Sequence, residues 1–249
     1  MTESFYWCPK CKLTPKQKVS DVSCHCGGMI KEIYQVCKET STLHFTGNCS
    51  GPFQRFGFFD KTAITTIEEI TFSEDITQFD LCERFFTVLQ KVRKISLPDC
   101  IKILGDRVFY GCQTVEKIIL PQNLQYIGED CFMNCHFLQE IDIPDTVHTI
   151  RHGTFDSCTS LNFVRLPQSL KILEDNIFEN CSFLEEVVLP EGIKEIYDGV
   201  FNRCTNLKRV NIPSGVSHIG TDVFLYTSDK LMIEVGHYSE DMEEYEKEK

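Results

Sequence analysis

The sequence predicts a repeat solenoid, a β-rich arc of 23-residue coils with short helical turns, preceded by a small cysteine-rich module. Two observations support this fold class. A 23-residue interval recurs without insertion over more than half of the chain, and cysteine pairs of a different spacing stand near the N-terminus. Self-similarity at a fixed period is the sequence signature of stacked-repeat architectures.

The periodic part begins at Val92 and divides into six consecutive units that end at residue 229. Each unit carries Leu or Ile before proline, and one phenylalanine recurs at a fixed position: Phe109, Phe132, Phe155, Phe178, Phe201 and Phe224. A cysteine follows three residues later in the first five units, at Cys112, Cys135, Cys158, Cys181 and Cys204. Such agreement over six units indicates one structural element repeated six times.

A single unit shows why the period is strict. In the unit 161–183, Phe163 and Arg165 alternate with Val164, which predicts a strand with Val164 inside and its two neighbours outside. Residues 170–173 supply a second short strand, and 175–181 is predicted to form a helical turn. One unit cannot bury its own apolar edge, whereas stacked units bury it in a continuous core.

The pattern L-x-x-I-x-L-P-x-x-L-x-x-I-x-x-x-x-F-x-x-C resembles the BspA-like class of leucine-rich repeats. The resemblance covers residues 92–229 clearly, and a degenerate unit at 67–91 extends the predicted solenoid to 67–236. It implies a right-handed solenoid arc, adhesion or partner binding, and no catalytic residues. Many members are surface proteins with export signals, and the start of this chain lacks the form of such a signal.

The five repeat cysteines are expected to be structural. Free cysteine is among the most buried residue types and packs as a small apolar side chain. Their side chains should point the same way in successive coils, which is poor geometry for a disulfide. We therefore expect a column of buried thiols.

The first 40 residues carry cysteines of another kind. Cys8 and Cys11 form a C-P-x-C turn, and Cys24 and Cys26 form a second pair followed by two glycines. Two such turns can hold a structural Zn²⁺ ion in tetrahedral geometry, and the stretch resembles a zinc ribbon. Because the second pair is C-x-C, Cys37 or His25 stays open as a replacement for one of these ligands.

Two further segments complete the predicted organisation. Residues 41–66 form an aromatic connector whose phenylalanines either cap the open solenoid end or bind a ligand: Phe45, Phe53, Phe56, Phe58 and Phe59. Residues 237–249 form an acidic tail, which we interpret as a solvated terminus.

Composition narrows the classes of function. The net charge of −12 disfavours a general nucleic-acid binder, and no nucleophile, P-loop or dinucleotide motif is present. The sequence therefore predicts no enzyme and no small-molecule substrate. Without a long apolar run or a secretory signal, we expect an intracellular, cytoplasmic protein with no membrane contact, and nuclear residence stays open.

The outward positions of the predicted sheet indicate where a partner binds. Most are polar, but Ile119, Phe163 and Val188 are apolar, and Arg165 lies beside them. Exposed apolar residues with an aromatic and an arginine are typical of an interface centre, although a lone exposed Ile or Val is common on any protein. The predicted function is an adaptor or scaffold that binds protein, with a nucleic-acid-associated factor that uses the zinc ribbon as the alternative.

Overall fold

The computed structural model describes residues 2–7, 31–37, 41–45, 66–74, 76, 84, 86–87 and 89–236, with only the backbone of 2–7 and 31–37. In these ranges the chain forms short strands joined by turns. In chain order the strands are β1 (Thr2–Trp7), β2 (Lys31–Cys37), β3 (Thr42–Phe45), β4 (Glu69–Phe72), β5 (Lys94–Ser96), β6 (Ile103–Leu104), β7 (Lys117–Ile119), β8 (Tyr126–Ile127), β9 (Glu140–Asp142), β10 (Thr149–Ile150), β11 (Phe163–Arg165), β12 (Ile172–Leu173), β13 (Glu186–Val188), β14 (Glu195–Ile196), β15 (Arg209–Ile212), β16 (His218–Ile219) and β17 (Met232–Val235).

Successive coils stack in parallel, which confirms the solenoid and gives it about seven coils. The odd-numbered strands from β5 to β17 lie on one side, called the first sheet here, and the even-numbered strands from β6 to β16 form the second sheet. In the strand register Lys94 lies opposite Lys117, and Arg209 lies opposite Met232, so each of these strands pairs with the equivalent strand of the next coil. The 23-residue period of the sequence is therefore the length of one coil.

The third side of each coil differs from the prediction. The segment 175–181, predicted as a helical turn, is a run of turns, and no helix occurs in the described part of the chain. The N–H of Phe178 donates to the carbonyl of Val200 in the next coil at 3.0 Å, and Asn176 and Asn180 have φ values of 57° and 59°. A right-handed helix needs successive residues at negative φ, so the positive φ values exclude a helix. Bonds within the segment close single turns, from the N–H of Glu179 to Asn176 and from that of Cys181 to Phe178. The stacked segments equivalent to 175–181 are called the turn column here.

A column of phenylalanine rings fills the interior beside the turn column. From Phe86 to Phe224 the rings stack coil upon coil, with centroids 4.5 to 5.7 Å apart and planes within 13° of parallel. All seven rings are buried. Such rings bury a large apolar area, so the column is a main source of cohesion between coils.

The described N-terminal strands continue the stack. Strand β3 pairs in parallel with β4, and Phe45 stacks on Phe72 at 5.0 Å. Strand β2 pairs antiparallel with both β1 and β3, so β1 to β4 form one sheet. Residues 42–45, part of the predicted connector, therefore form a strand of the stack, and the degenerate unit contributes Ile67 and Ile70 to the core.

Each sheet has a break in its hydrogen-bonded ladder near the middle of the solenoid. No ladder joins β11 to β13 in the first sheet, and none joins β10 to β12 in the second. The coil 161–183 is thus joined to the preceding coil through the first sheet and to the following coil through the second sheet. The turn column and the phenylalanine column run through both junctions.

Candidate functional site

The outward face of the first sheet carries an exposed apolar patch formed by Ile119, Phe163 and Val188. The strand alternation aims these side chains away from the core while Ile118, Val164 and Val187 are buried beneath them. Ile119 is 38% exposed, Phe163 53% and Val188 65%. Large apolar side chains exposed to this degree on one sheet face favour contact with another molecule.

Strand order determines how the patch is laid out. Ile119 lies on β7 and Phe163 on β11, with β9 between them, while Val188 lies on β13 beyond the ladder break. Arg165 shares β11 with Phe163, and its register partner on β9 is Asp142. The patch therefore runs across the strands over four successive coils and spans the break.

Arg165 is held in place by two carboxylates. Its Nε lies 2.7 Å from Oδ1 of Asp142, and its Nη1 lies 3.1 Å from Oδ1 of Asp145. Asp145 also accepts a hydrogen bond from the backbone N–H of Gln168 at 2.9 Å. That hydrogen bond, and then the Arg165 guanidinium, lower the pKa of the Asp145 carboxyl. The two carboxylates thus offset the charge of Arg165 and fix the orientation of its side chain beside the patch.

A cleft of about 330 Å³ separates Ile119 from Phe163. These two side chains line it, together with the outward carboxylates of Glu140 and Asp142 on β9. Glu140 forms an ion pair across the strands with Lys117. The sequence prediction left out both carboxylates, although they follow Lys117 and Ile119 by one 23-residue period and precede Phe163 and Arg165 by one period. The signal was their place on the strand between those of Ile119 and Phe163.

The repeat cysteines form a second column in the core. Cys112, Cys135, Cys158, Cys181 and Cys204 are buried and free. The Cys204 thiol donates to the carbonyl of Phe178 in the preceding coil at 3.1 Å, and Cys135, Cys158 and Cys181 make the equivalent bond. Burial raises the pKa of Cys204 to about 12. A thiol that stays protonated at neutral pH is a poor nucleophile, so Cys204 is unreactive at that pH.

The predicted zinc ligands Cys8, Cys11, Cys24 and Cys26, and the substitute His25, lie outside the described residues. The other substitute, Cys37, ends β2. Phe53, Phe56, Phe58 and Phe59 and the acidic tail 237–249 also lie outside them. Within the described ranges, no group of three or more His, Cys, Asp and Glu residues is placed to hold a metal ion, and no helix is long and apolar enough for a membrane span.

Parallel coils, a stacked phenylalanine core and an exposed sheet face define the chain as a leucine-rich-repeat solenoid. The family model described as "BspA type Leucine rich repeat region" matches residues 58–181 and 127–244. Because these matches cover more than half of the chain, the protein belongs to the BspA-type leucine-rich-repeat family. Leucine-rich-repeat proteins generally mediate protein–protein interaction or surface binding, and they are typically scaffolds without enzymatic activity.

The solved structures that are similar to this chain include two leucine-rich-repeat proteins. A leucine-rich-repeat protein from Bacteroides ovatus is 24% identical with a TM-score of 0.63, over 81% of this chain and 59% of its own. A leucine-rich-repeat protein from T. pallidum is 25% identical with a TM-score of 0.54, over 83% of this chain and 79% of its own. This chain thus spans less than two thirds of the Bacteroides protein. No curated protein matches the sequence.

Proposed function

We propose that this protein is an intracellular scaffold or adaptor that binds a protein partner on the outward face of its first sheet. The observation that carries the proposal is the apolar patch of Ile119, Phe163 and Val188 beside the ion-paired Arg165. Burying such side chains against a partner stabilises a complex by about 25 cal/mol per Å² of apolar surface, less the costs of association. An aromatic and an arginine at the centre fit the residue types that dominate interface energetics.

The charges on this face favour a protein partner over nucleic acid. Lys117, Arg165 and Arg209 each form an ion pair with a carboxylate of a neighbouring strand or turn. A nucleic-acid surface instead presents clustered cations that are available to phosphates. Binding of nucleic acid through the predicted zinc ribbon remains the alternative, and retention on nucleic acid that weakens steeply with salt would favour it.

Affinity capture from a native lysate, followed by mass spectrometry, tests the proposed surface. In the variant Ile119→Asp/Phe163→Asp/Val188→Asp, a partner that covers the patch would have to remove water from three carboxylates. We therefore expect the variant to lose the partners that the wild type retains. Circular dichroism checks that the variant is folded, as expected because all three side chains are exposed.

A matched control places three charges elsewhere on the solenoid. Ile103 and Ile172 lie on the second sheet, and Phe183 lies at the end of its coil, and all three are exposed. The variant Ile103→Asp/Ile172→Asp/Phe183→Asp should keep the partners of the wild type. Retention of the same partners by the patch variant would mean that the first sheet is not the binding surface.

The free thiols support the intracellular part of the proposal. The seven cysteines described between residues 100 and 204 form no disulfide, and proteins in reducing compartments keep their thiols reduced. Fractionation of source cells, followed by detection of the native protein, should place it in the cytoplasmic or nuclear fraction. Recovery from the medium or from the cell surface would contradict this assignment.

We further propose that Cys8, Cys11, Cys24 and Cys26 hold a structural zinc ion. Their paired spacing supports this, and so does the pairing of Trp7 with Lys31, which brings together the two ends of the segment that carries all four cysteines. We expect about one equivalent of zinc per purified full-length chain. Elemental analysis should find it lost in Cys8→Ser/Cys11→Ser and kept in Cys100→Ser, and a metal-free wild-type chain would refute the site.

A further inference from the structure

We infer that the cleft between Ile119 and Phe163 receives a cationic side chain, Arg or Lys, from a partner segment that carries apolar residues beside it. The inference rests on the proposed function, because it names the partner chemistry of the same surface. The cleft volume of about 330 Å³ suits one long side chain rather than a whole secondary-structure element.

The walls and floor of the cleft present two kinds of surface. Ile119 and the Phe163 ring form apolar walls, and Glu140 and Asp142 supply carboxylates between them. Lys117 also lines the cleft, where its charge is paired with that of Glu140. Arg and Lys have the matching form, with an apolar stem and a charged end. The face of an aromatic ring also attracts a cation that lies over it.

The cations already on this face leave both carboxylates available. Lys117 pairs with Oε1 of Glu140, and the Nε of Arg165 pairs with Oδ1 of Asp142. The Glu140 side chain is 45% exposed and that of Asp142 is 70% exposed. Each carboxylate can therefore accept a second charged hydrogen bond from a partner.

Other occupants fit this cleft less well. A purely apolar side chain would desolvate Glu140 and Asp142 without replacing their hydrogen bonds to water, which is costly. An acidic side chain would add repulsion to that cost. The net charge of −12 also favours the approach of a basic segment.

The test begins with a random-peptide phage library panned on the full-length protein. Selected peptides are then synthesised with a fluorescent label, and their Kd values are measured by fluorescence anisotropy. We expect the selected sequences to share an Arg or Lys flanked by apolar residues. Replacing that residue with Gln should weaken binding about tenfold or more, and raising the salt concentration should weaken the parent peptide as well.

Paired variants of the protein test the two carboxylates. Glu140→Gln/Asp142→Asn preserves side-chain shape and should weaken the selected peptides by a similar factor. Glu185→Gln/Glu191→Gln is the control, because it makes the same change in net charge outside the cleft, and Glu185 pairs with Lys208 as Glu140 pairs with Lys117. The control should leave the Kd unchanged.

Two results would overturn the inference in distinguishable ways. If the selected peptides depend on Phe163 but carry no basic residue, the cationic occupant is excluded and the proposed surface stands. The same conclusion follows if the peptides bind Glu140→Gln/Asp142→Asn as tightly as the wild type. If no selected peptide loses affinity for the patch variant, the inference fails and the proposed binding surface fails with it.

Discussion

At the scale of single residues, Asp156 carries a half-buried carboxyl in the turn column. Burial raises the pKa of its carboxyl, and the nearby carboxylates of Glu179 and Asp130 raise the pKa further, against a hydrogen bond donated by Ser157 at 2.8 Å. Two coils further on, the equivalent position holds Asn202, which donates to Glu179 at 3.0 Å. An uncharged amide thus already occupies this row of equivalent positions, where no described residue donates a hydrogen bond to its buried Oδ1.

Asp156→Asn should stabilise the protein at neutral pH. The native state binds a proton on Asp156 more readily than the unfolded state, so this group reduces stability above its native pKa, and the loss is recovered as the pH falls below that pKa. The gain should be on the order of 0.5 kcal/mol, because the site is partly solvated. Urea unfolding at pH 7 and near pH 3.5 measures it, and the gain should shrink at the lower pH.

Asp99→Asn is the control for this prediction, because Asp99 is an exposed carboxylate. It should leave the free energy of unfolding nearly unchanged at both pH values. A gain for Asp156→Asn that stays equal at pH 7 and pH 3.5 would show that the substitution acts through packing and not through charge.

At the scale of elements, the turn column follows an alternation that the sequence analysis overlooked. Asp130, Gly153, Asn176, Gly199 and Asp222 occupy the same position in successive coils, and all have positive φ. A Cβ added at Gly199 would lie 2.2 Å from Oδ1 of Asn176, and one at Gly153 would lie 2.4 Å from Oδ1 of Asp130. The Asp or Asn side chain therefore extends over the glycine of the next coil.

Gly199→Ala should destabilise the protein by about 1–3 kcal/mol. Alanine is strained at a φ of 63°, and Asn176 must move away from the new methyl group. Gly105→Ala is the matched control, because nothing lies within 4 Å of its added Cβ and its φ is not in the left-handed region. Urea unfolding of both variants measures the difference, and equal free energies of unfolding would contradict the steric argument.

The strands and the turns were not equally predictable. Alternation around Val164 identified β11 correctly, because the inside or outside position of a strand residue depends on its neighbours in sequence. The spacing of Phe178 and Cys181 fits a helical turn and this non-helical turn equally well. What distinguishes the two is the bond from Phe178 to Val200 in the next coil, a partner that no local pattern reveals. The exposed Ile119 and Phe163 were predicted, but the cleft between them depends on how side chains of successive strands pack, which the sequence pattern does not specify.

At the scale of the whole molecule, the coil 161–183 is joined to each neighbouring coil by a single ladder. Ladder bonds join it to the preceding coil only through the first sheet and to the following coil only through the second. The stability of a solenoid is approximately a sum of coil terms and nearest-neighbour interface terms. Cohesion across both junctions therefore depends strongly on Phe178, whose ring stacks on Phe155 at 5.6 Å and on Phe201 at 5.7 Å.

We expect Phe178→Ala to separate the unfolding of the two halves of the solenoid. Removing a buried phenylalanine costs about 3–5 kcal/mol, and here the loss falls on two interfaces that each lack one ladder. Hydrogen exchange by mass spectrometry along a urea series should then show residues 184–236 losing protection at a different urea concentration from residues 92–160. Phe132→Ala removes an equivalent ring where ladders run in both sheets, so it should lower one common midpoint. Coincident loss of protection in Phe178→Ala would show that the turn column and the one ladder at each junction are enough to couple the two halves.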